Sequence, residues 1–371
     1  MASFNKPAVE KLTLKIFQPN GSFNSVKCME TTDIKSVIHA VVAKLARGER
    51  AFQSSFAIRL QHIQSEESHW LHRDLTIGQI KHKYEKIHPA LEWRHELRIR
   101  YLPKDYHELL EKDKVTFFYF YDQVRNDYMN EVAETVDMDI ALQLGCLEMR
   151  RFFKDMPQIA LDKKANFDYL EKEIGLKRFI PKAVIDNTKP KNLRKLILQY
   201  FKQFANLNEE QCVFKFFDVL SKIHRFDHEK FKCALGTGWS ISVELVIGPE
   251  DGISCLTDKA STPTKMAEFT QVQSVQTLGG DMENNKKGLL QLRISGANES
   301  VYITTPSVTI AEDMADLIDG YCRLALKTEQ SLIVRPQQAF SVVPRDKTAY
   351  LQYTACKYSL WRTDPLSTPC T

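Results

Sequence analysis

The sequence lacks a hydrophobic run of the about 18 to 20 residues that a membrane-spanning helix requires. Its first ten residues do not show the basic and then apolar pattern of a secretory signal peptide. Its eight cysteines are scattered and include no Cys-x-x-Cys pair. These absences argue against a membrane span, a disulfide scaffold and a zinc cluster. We therefore expect a cytoplasmic protein with free thiols, no metal and no cofactor.

The sequence also lacks a complete enzyme motif. His72-Arg73-Asp74-Leu75 matches the opening of a protein-kinase catalytic loop, but Gln79 stands where the magnesium-binding asparagine is needed. Neither Asp-Phe-Gly nor a glycine-rich phosphate loop accompanies it. His69 and His72 suggest a metal pair, but side chains three residues apart on a strand face opposite sides. We expect a binding protein with no catalytic residues.

The overall charge excludes a general nucleic-acid binder. The 371 residues include 51 basic and 47 acidic side chains, which gives a net charge of +4. Residues 177–202 alone carry eight lysines and arginines against one aspartate. A chain of this length, with 43% hydrophobic residues, is sufficient for two or three domains of about 150 residues each. The positive charge is therefore concentrated in one segment.

Residues 10–103 show the pattern of a small mixed β and α domain. Lys11–Phe17 alternates in hydrophobicity as a strand does, and Asn20-Gly21 favours a hairpin turn. Thr32-Asp33 can cap a helix that ends near Gly48. Further strands are predicted at Phe56–Leu60, His69–His72 and Trp93–Leu102. This order is that of a ubiquitin-like fold.

Residues 104–228 change to helical periodicity. Helices are predicted at 106–112, 115–133, 137–153, 164–174, 191–206 and 209–222. In the helix that begins after Pro190, one face is apolar and consists of Leu193, Ile197, Tyr200, Phe201 and Phe204. Lys191, Lys195 and Lys202 lie on the opposite face, with Arg194 at its margin. The sequence thus predicts a helical bundle with a basic outer face.

From residue 229 to 335 the period returns to two. Strands are predicted at Trp239–Ile247, Phe269–Leu278, Leu289–Ile294 and Val301–Thr304, with a last strand at Ser331–Arg335. Thr309 and Glu312 form the signature of a capping box at the start of one amphipathic helix. Strands closed by such a helix are typical of pleckstrin-homology and phosphotyrosine-binding domains. Residues 336–371 show little periodicity and read as a flexible tail.

Five stretches of the sequence are similar to the FERM region of the focal adhesion kinase family. They are Ser65-Glu-Glu-Ser-His-Trp-Leu-His72, Glu96-Leu-Arg-Ile-Arg-Tyr-Leu-Pro103, Arg125-Asn-Asp-Tyr-Met129, Leu144-Gly-Cys-Leu-Glu148 and Ala311-Glu-Asp-Met-Ala-Asp-Leu-Ile-Asp-Gly-Tyr-Cys-Arg-Leu324. The likeness is dense over residues 55–336 and looser over 10–54.

The resemblance implies an α+β protein with the three-lobed FERM fold. A ubiquitin-like β-grasp lobe would span residues 10–103, and a helical bundle like that of acyl-CoA-binding proteins would span 104–228. A β-sandwich of the pleckstrin-homology and phosphotyrosine-binding type, with its C-terminal helix, would span 229–335. Residues 1–9 and 336–371 would be a flexible N-terminus and a divergent flexible tail.

The resemblance also implies a ligand site in the helical lobe. In this family a basic patch of that lobe binds phosphatidylinositol 4,5-bisphosphate and phosphorylated receptor tails. The matching cations here are Lys189, Lys191, Arg194 and Lys195. Pro190 and Asn192 replace the alanine and threonine of the family pattern. The alternatives are a merely solvated charged face and a nuclear import signal.

A second implied site docks on the kinase C-lobe of the autoinhibited family member. The matching residues are Phe153 and Met156, at the end of a helix. Apolar residues at helical spacing are usually core, but the run 150–156 is half charged, so we expect at least one aromatic side chain there to face solvent.

The family's linker and kinase domain have no counterpart here, because the likeness stops near Gln337. We therefore expect a non-catalytic regulator of adhesion signalling at the cell cortex and focal adhesions. It would bind anionic membrane and receptor tails, and inhibit or compete with a tyrosine kinase domain in cis or in trans. The alternatives are the N-terminal part of a longer focal-adhesion-type tyrosine kinase, and a nuclear FERM scaffold.

Overall fold

The protein is described by a computed structural model that covers residues 11–334, except 66, 156, 158–159, 237–239, 259, 279–286 and the side chain of 160. The expectations for the N-terminus, for the tail after 335, for Trp239 and for Met156 lie outside the described residues. No helix in the described part is long and apolar enough to cross a bilayer.

The first lobe is a five-stranded sheet with two helices. Its elements are β1 (Leu12–Phe17), β2 (Phe23–Cys28), α1 (Ile34–Val42), β3 (Phe56–His62), β4 (Ser68–Leu71), α2 (Ile77–Tyr84) and β5 (Trp93–Ile99). The strand order is β2-β1-β5-β3-β4, and β1 is parallel to β5. Asp33 caps α1 by accepting a hydrogen bond from the amide of Ser36 at 2.8 Å. This is the β-grasp arrangement expected from the sequence.

Helix α2 was not predicted, although its start carries a clear signal. Thr76 and Gln79 form a reciprocal capping box, in which each side chain accepts a hydrogen bond from the other residue's amide. The helix is eight residues long and strongly basic toward its end, so its periodicity is short and weak. Ile77, Ile80 and Tyr84 nevertheless place one buried face against the lobe's core.

The second lobe is a helical bundle. Its helices are α3 (Tyr106–Lys112), α4 (Lys114–Asp127), α5 (Met138–Phe152), α6 (Lys164–Tyr169), α7 (Lys182–Asn187), α8 (Pro190–Phe204) and α9 (Glu209–Ser221). Helix α5 is the centre of the bundle and contacts both α8 and α9. Gly145 on α5 permits the close approach of the segment that precedes α7, because an added Cβ would lie 2.6 Å from the carbonyl oxygen of Phe179. The short helix α7 was not predicted.

The third lobe is one curled, seven-stranded antiparallel sheet closed by a helix. Its elements are β6 (Glu229–Leu235), β7 (Ile241–Gly248), β8 (Gly252–Leu256), β9 (Thr264–Ala267), β10 (Val272–Leu278), β11 (Gly288–Ile294), β12 (Val301–Thr305) and α10 (Val308–Leu326). The strand order is β10-β11-β12-β6-β7-β8-β9. The segment predicted as a last strand, Ser331–Arg335, does return to the sheet, but among its described residues 331–334 it forms only a single bridge, in which Ile333 pairs in parallel with Val275.

The predicted cap of α10 was wrong by two residues. Ser307 is the N-cap, and its hydroxyl accepts a hydrogen bond from the amide of Ile310 at 3.3 Å. Thr309 lies inside the helix instead. The sequence Ser-Val-Thr offers two capping hydroxyls, and the Thr309–Glu312 spacing pointed to the second one.

Buried ion pairs join the first and third lobes. The Arg100 guanidinium, at the end of β5, lies 2.8 Å from a Glu229 carboxylate oxygen and 2.7 Å from one of Asp316 on α10. Next to it, the Tyr101 ring lies so close to Gly320 that an added Cβ would be 2.0 Å from a ring atom. The contact between the two lobes therefore depends on the ion pairs of Arg100 and on the absence of a side chain at Gly320.

Candidate functional site

The basic surface consists of Lys189, Lys191, Arg194 and Lys195, at the start of α8. Lys189 is the residue before the helix, and Pro190 occupies the first turn, where its missing N–H costs nothing. The opposite face of α8 is apolar, and its side chains Leu193, Ile197, Phe201 and Phe204 are buried. The hydrophobic face thus turns the basic residues outward, as the sequence predicts.

Three of the four cations of the basic surface face solvent. The side chains of Lys189, Lys191 and Lys195 are exposed. They surround the N-terminal end of α8, where the helix dipole adds partial positive charge and no acidic residue lies in the first turn. This end of the lobe can attract anions such as phosphate groups.

Arg194 differs from the three lysines. Its guanidinium lies 3.4 Å from a carboxylate oxygen of Asp168 and 4.6 Å from the ring centre of Phe167. The side chain is half-buried, in keeping with the marginal position predicted for it. Asp168 lies 26 residues away from Arg194 in sequence. The residue spacing around α8 therefore does not predict that Asp168 offsets the charge of Arg194.

The residues at the end of α5 are only partly accessible. Phe153 is 7% exposed and belongs to the hydrophobic core, whereas Phe152 is 42% exposed. The exposed aromatic expected in this run is therefore Phe152. Its ring packs edge-on against Phe153 and Phe179, and the Arg178 guanidinium lies 4.6 Å from its centre. The docking role of Phe153 and Met156 stays a prediction, and the aromatic surface at this place is that of Phe152.

The two histidines weighed as a metal pair point to different surroundings. His69 Nε2 lies 2.7 Å from Glu67, within the first lobe. His72 Nε2 lies 3.6 Å from Asp316, in the third lobe. They do not share a site, although β4 ends at Leu71, so the strand alternation expected for His72 does not apply to it.

Family profiles match three consecutive segments of the chain. Residues 12–103 match the FERM N-terminal domain, and residues 107–231 match the FERM central domain. Residues 233–332 match the profile described as FAK1/PYK2, FERM domain C-lobe. The three matches together cover the three lobes seen in the structure.

One curated relative is the inactive tyrosine-protein kinase kin-32 of Caenorhabditis elegans. It is 30% identical over 318 residues, which are 83% of this chain and 36% of the relative. The chain therefore spans about a third of the length of this relative.

Solved structures with the same fold include FERM domains of two organisms. The MyTH4-FERM MF2 domain of Dictyostelium discoideum myosin VII has a TM-score of 0.59 at 13% identity, covering 84% of this chain and 58% of that one. The complex of the FERM and C-terminal domains of Drosophila Merlin has a TM-score of 0.58 at 12% identity, covering 85% of this chain and 97% of that one. At such identities the likeness shows the fold alone.

Proposed function

This chain belongs to the FERM family of the focal adhesion kinase type, and we propose that it is a non-catalytic interaction module whose helical lobe binds anionic membrane. The observation that carries the proposal is the exposure of Lys189, Lys191 and Lys195 around one helix N-terminus. Each lysine near an anionic leaflet contributes about 1 kcal/mol, and a phosphoinositide headgroup concentrates several negative charges at one point. The protein would then act at the cytoplasmic side of the cell cortex and at focal adhesions.

The test compares binding to vesicles with and without phosphatidylinositol 4,5-bisphosphate. A variant with Lys189, Lys191, Arg194 and Lys195 all changed to Ala should lose sedimentation with the bisphosphate vesicles. A matched control changes four other exposed lysines to Ala: Lys215, Lys222, Lys230 and Lys232. Both variants lose four positive charges, so a loss in the first alone indicates a local site. Equal binding by the two variants would refute the basic surface as the membrane site.

Receptor tails are the second ligand class that we propose for the basic surface. A phosphorylated tyrosine carries about two negative charges, which pair with the same lysines that attract lipid phosphates. Tail and membrane should therefore compete. A phosphorylated tail peptide should displace the protein from bisphosphate vesicles, whereas its unphosphorylated form should not.

We also propose that the helical lobe binds a tyrosine kinase domain, in cis or in trans. The support is the exposed Phe152 beside Arg178 at the end of α5, since an aromatic ring flanked by a cation is a typical interface anchor. The Merlin structure is a complex of a FERM domain with a C-terminal domain, which illustrates that this fold holds another domain.

Capture of a purified family kinase domain tests the docking proposal. Phe152→Ala removes an exposed ring and should weaken capture without unfolding the lobe, whereas Phe153→Ala removes a core side chain. Comparing the two separates loss of docking from loss of folding. Capture that survives Phe152→Ala, and survives Phe153→Ala with Met156→Ala, would refute the proposal.

A second candidate function is suggested by the length of the curated relative. Because the chain spans 36% of a tyrosine-kinase-type protein, it can equally be the regulatory N-terminal part of a longer kinase. A reading frame that continues past Thr371 into a glycine-rich loop would favour this candidate.

A third candidate is a nuclear scaffold in which the basic surface is an import signal. Cell fractionation of the four-alanine variant distinguishes nuclear import from membrane targeting.

A further inference from the structure

Two histidines and two glutamates gather at one edge of the first lobe. His62 is the last residue of β3 and lies directly opposite Trp93 in the antiparallel pairing with β5. Glu92 precedes Trp93, and its carbonyl oxygen accepts a hydrogen bond from the amide of Ile63 at 2.8 Å. Strand pairing therefore sets Glu92 beside His62, although 30 residues separate them in sequence.

His88 completes the group from the segment that follows α2. Its amide donates to the carbonyl oxygen of Tyr84 at 3.2 Å, which holds this segment against the end of the helix. The His88 ring stacks on the His62 ring with centres 4.0 Å apart. Trp93 is 7% exposed and lies 5.1 Å from the first ring and 5.6 Å from the second, so it forms the apolar floor of the group.

We propose that His62, His88 and Glu92 form a three-ligand site for Zn²⁺. One potential ligand atom from each residue lies within 4.8 Å of the other two. His62 Nε2 is 3.0 Å from the Glu92 carboxylate, and His88 Nδ1 is 3.9 Å from the same oxygen. Two imidazoles and a carboxylate are a common ligand set of zinc sites that keep a fourth position for water.

The distances from the two ring nitrogens to the Glu92 oxygen, 3.0 Å and 3.9 Å, are near the separation that zinc requires of its ligand atoms. Zinc bonds of about 2.0 to 2.2 Å in a tetrahedron place ligand atoms about 3.3 Å apart. Closing the site requires movement of His88 and Glu92, and the His88 ring must also rotate out of its stack on the His62 ring, which it meets at 27°. The side chains of His88 and Glu92 are 31% and 29% exposed, so both have room to turn, whereas His62 is 3% exposed and fixed.

The nitrogen of each ring that would not face the metal lies beside a polar group. His62 Nδ1 accepts a hydrogen bond from the Ser65 amide at 3.1 Å and lies 2.8 Å from the Ser65 hydroxyl, so zinc binding at Nε2 requires the Ser65 segment to shift until its hydroxyl accepts a hydrogen bond from a protonated Nδ1. His88 Nε2 lies 3.4 Å from a carboxylate oxygen of Glu67. Metal-binding histidines usually donate their second N–H to such groups, which fixes the ring orientation.

The site would add a cross-link within the first lobe. A zinc ion there joins the end of β3 to the segment between α2 and β5. We therefore expect Zn²⁺ to raise the thermal unfolding midpoint of the protein, because an ion that binds the folded state alone stabilises it.

The experiment titrates the full chain with Zn²⁺ by calorimetry and with Co²⁺ by visible absorption. The proposal expects intense Co²⁺ bands of tetrahedral coordination, which Zn²⁺ displaces. His88→Ala and Glu92→Gln, which alter half-exposed side chains and should keep the fold, are each expected to weaken binding by more than about 100-fold. Glu67→Gln should weaken it by about 10- to 100-fold, as for a residue that orients a ligand.

His82→Ala is the matched control, since His82 is an exposed histidine of the same lobe, on α2. It should bind Zn²⁺ and Co²⁺ as the unaltered protein does. Two results would overturn the proposal. One is the absence of Zn²⁺ binding and of a thermal shift in the unaltered protein. The other is binding that His88→Ala and Glu92→Gln leave unchanged, in which case the three residues are a hydrogen-bonded aromatic cluster without a metal.

Discussion

The four cations of the basic surface should contribute unequally to membrane binding. Lys189, Lys191 and Lys195 are exposed, and each contributes about 1 kcal/mol near an anionic leaflet. Changing all three to Ala should therefore cost about 3 kcal/mol, which corresponds to an approximately 100-fold weaker binding constant. Arg194 already pairs with Asp168 at 3.4 Å, so Arg194→Ala should reduce affinity less than the loss of any single lysine.

A substitution of Asp168 tests the same charge argument in the opposite direction. Asp168→Asn removes the negative charge that offsets Arg194 and makes the surface more positive by one unit. Affinity for vesicles with anionic lipid should then rise by about fivefold at low salt, the equivalent of about 1 kcal/mol. The gain should fade as added salt screens the charges.

Vesicle sedimentation across a range of salt concentrations measures both effects. Circular dichroism of each variant shows whether α8 and α6 remain folded. The reasoning would be refuted if Asp168→Asn left binding unchanged at low salt, or if Arg194→Ala reduced affinity more than the loss of a single lysine. Either result would mean that specific hydrogen bonds of the guanidinium, rather than the local charge, determine membrane affinity.

Three further predictions concern the contact between the first and third lobes. Arg100→Met should lower the free energy of unfolding by about 3 to 5 kcal/mol, because it leaves Asp316 buried without its cation, and urea unfolding measures this loss. Adding Asp316→Leu should recover much of the loss, and a double variant no more stable than the single one would contradict the ion-pair explanation. Gly320→Ala should cost about 1 to 3 kcal/mol through overlap with Tyr101, seen as a lower thermal midpoint, and an unchanged midpoint would show that the ring can move aside. Burial raises the pKa of Asp313 to about 7, so between about pH 4 and pH 7 the folded state holds a proton that the unfolded state has lost. The free energy of unfolding should therefore fall as the pH rises through that range. Urea unfolding at a series of pH values should show a flatter dependence for Asp313→Asn than for the unaltered protein.

Local sequence patterns were sufficient to predict a helix or strand where one of its faces is buried and the other is exposed to solvent. The alternation of Leu12–Phe17 and the apolar face of α8 predicted their elements to within a residue or two. The helices that were missed, α2 and α7, are six to eight residues long and have too few turns to show a period. Strands β6, β8 and β9 were also missed: the inward side chains of β6 are only half-buried, and β8 and β9 are only five and four residues long.

The candidate sites were predictable only as far as neighbours in sequence define them. The lysines around α8 follow from one helix, whereas Asp168 reaches Arg194 through the packing of α6 against the bundle. The group of His62 and Glu92 depends on the register of β3 against β5, and no spacing along the chain encodes that register. Partners from separate elements become visible only when the tertiary structure is known.

The tetrapeptide His72-Arg73-Asp74-Leu75 shows how the fold decides the meaning of a short motif. Its residues form the turn between β4 and α2, in which the Leu75 amide donates to the His72 carbonyl oxygen at 3.0 Å. The carbonyl oxygens of Arg73 and Leu75 accept hydrogen bonds from Lys35 and Ile34, the first residues of α1, whose amides have no partner within their own helix. The Arg73 side chain pairs with Glu329, in the segment that follows α10. These contacts stabilise the first lobe and join it to the third. A motif that positions a substrate hydroxyl in a kinase therefore serves here to cap one helix and to hold the first lobe against the third.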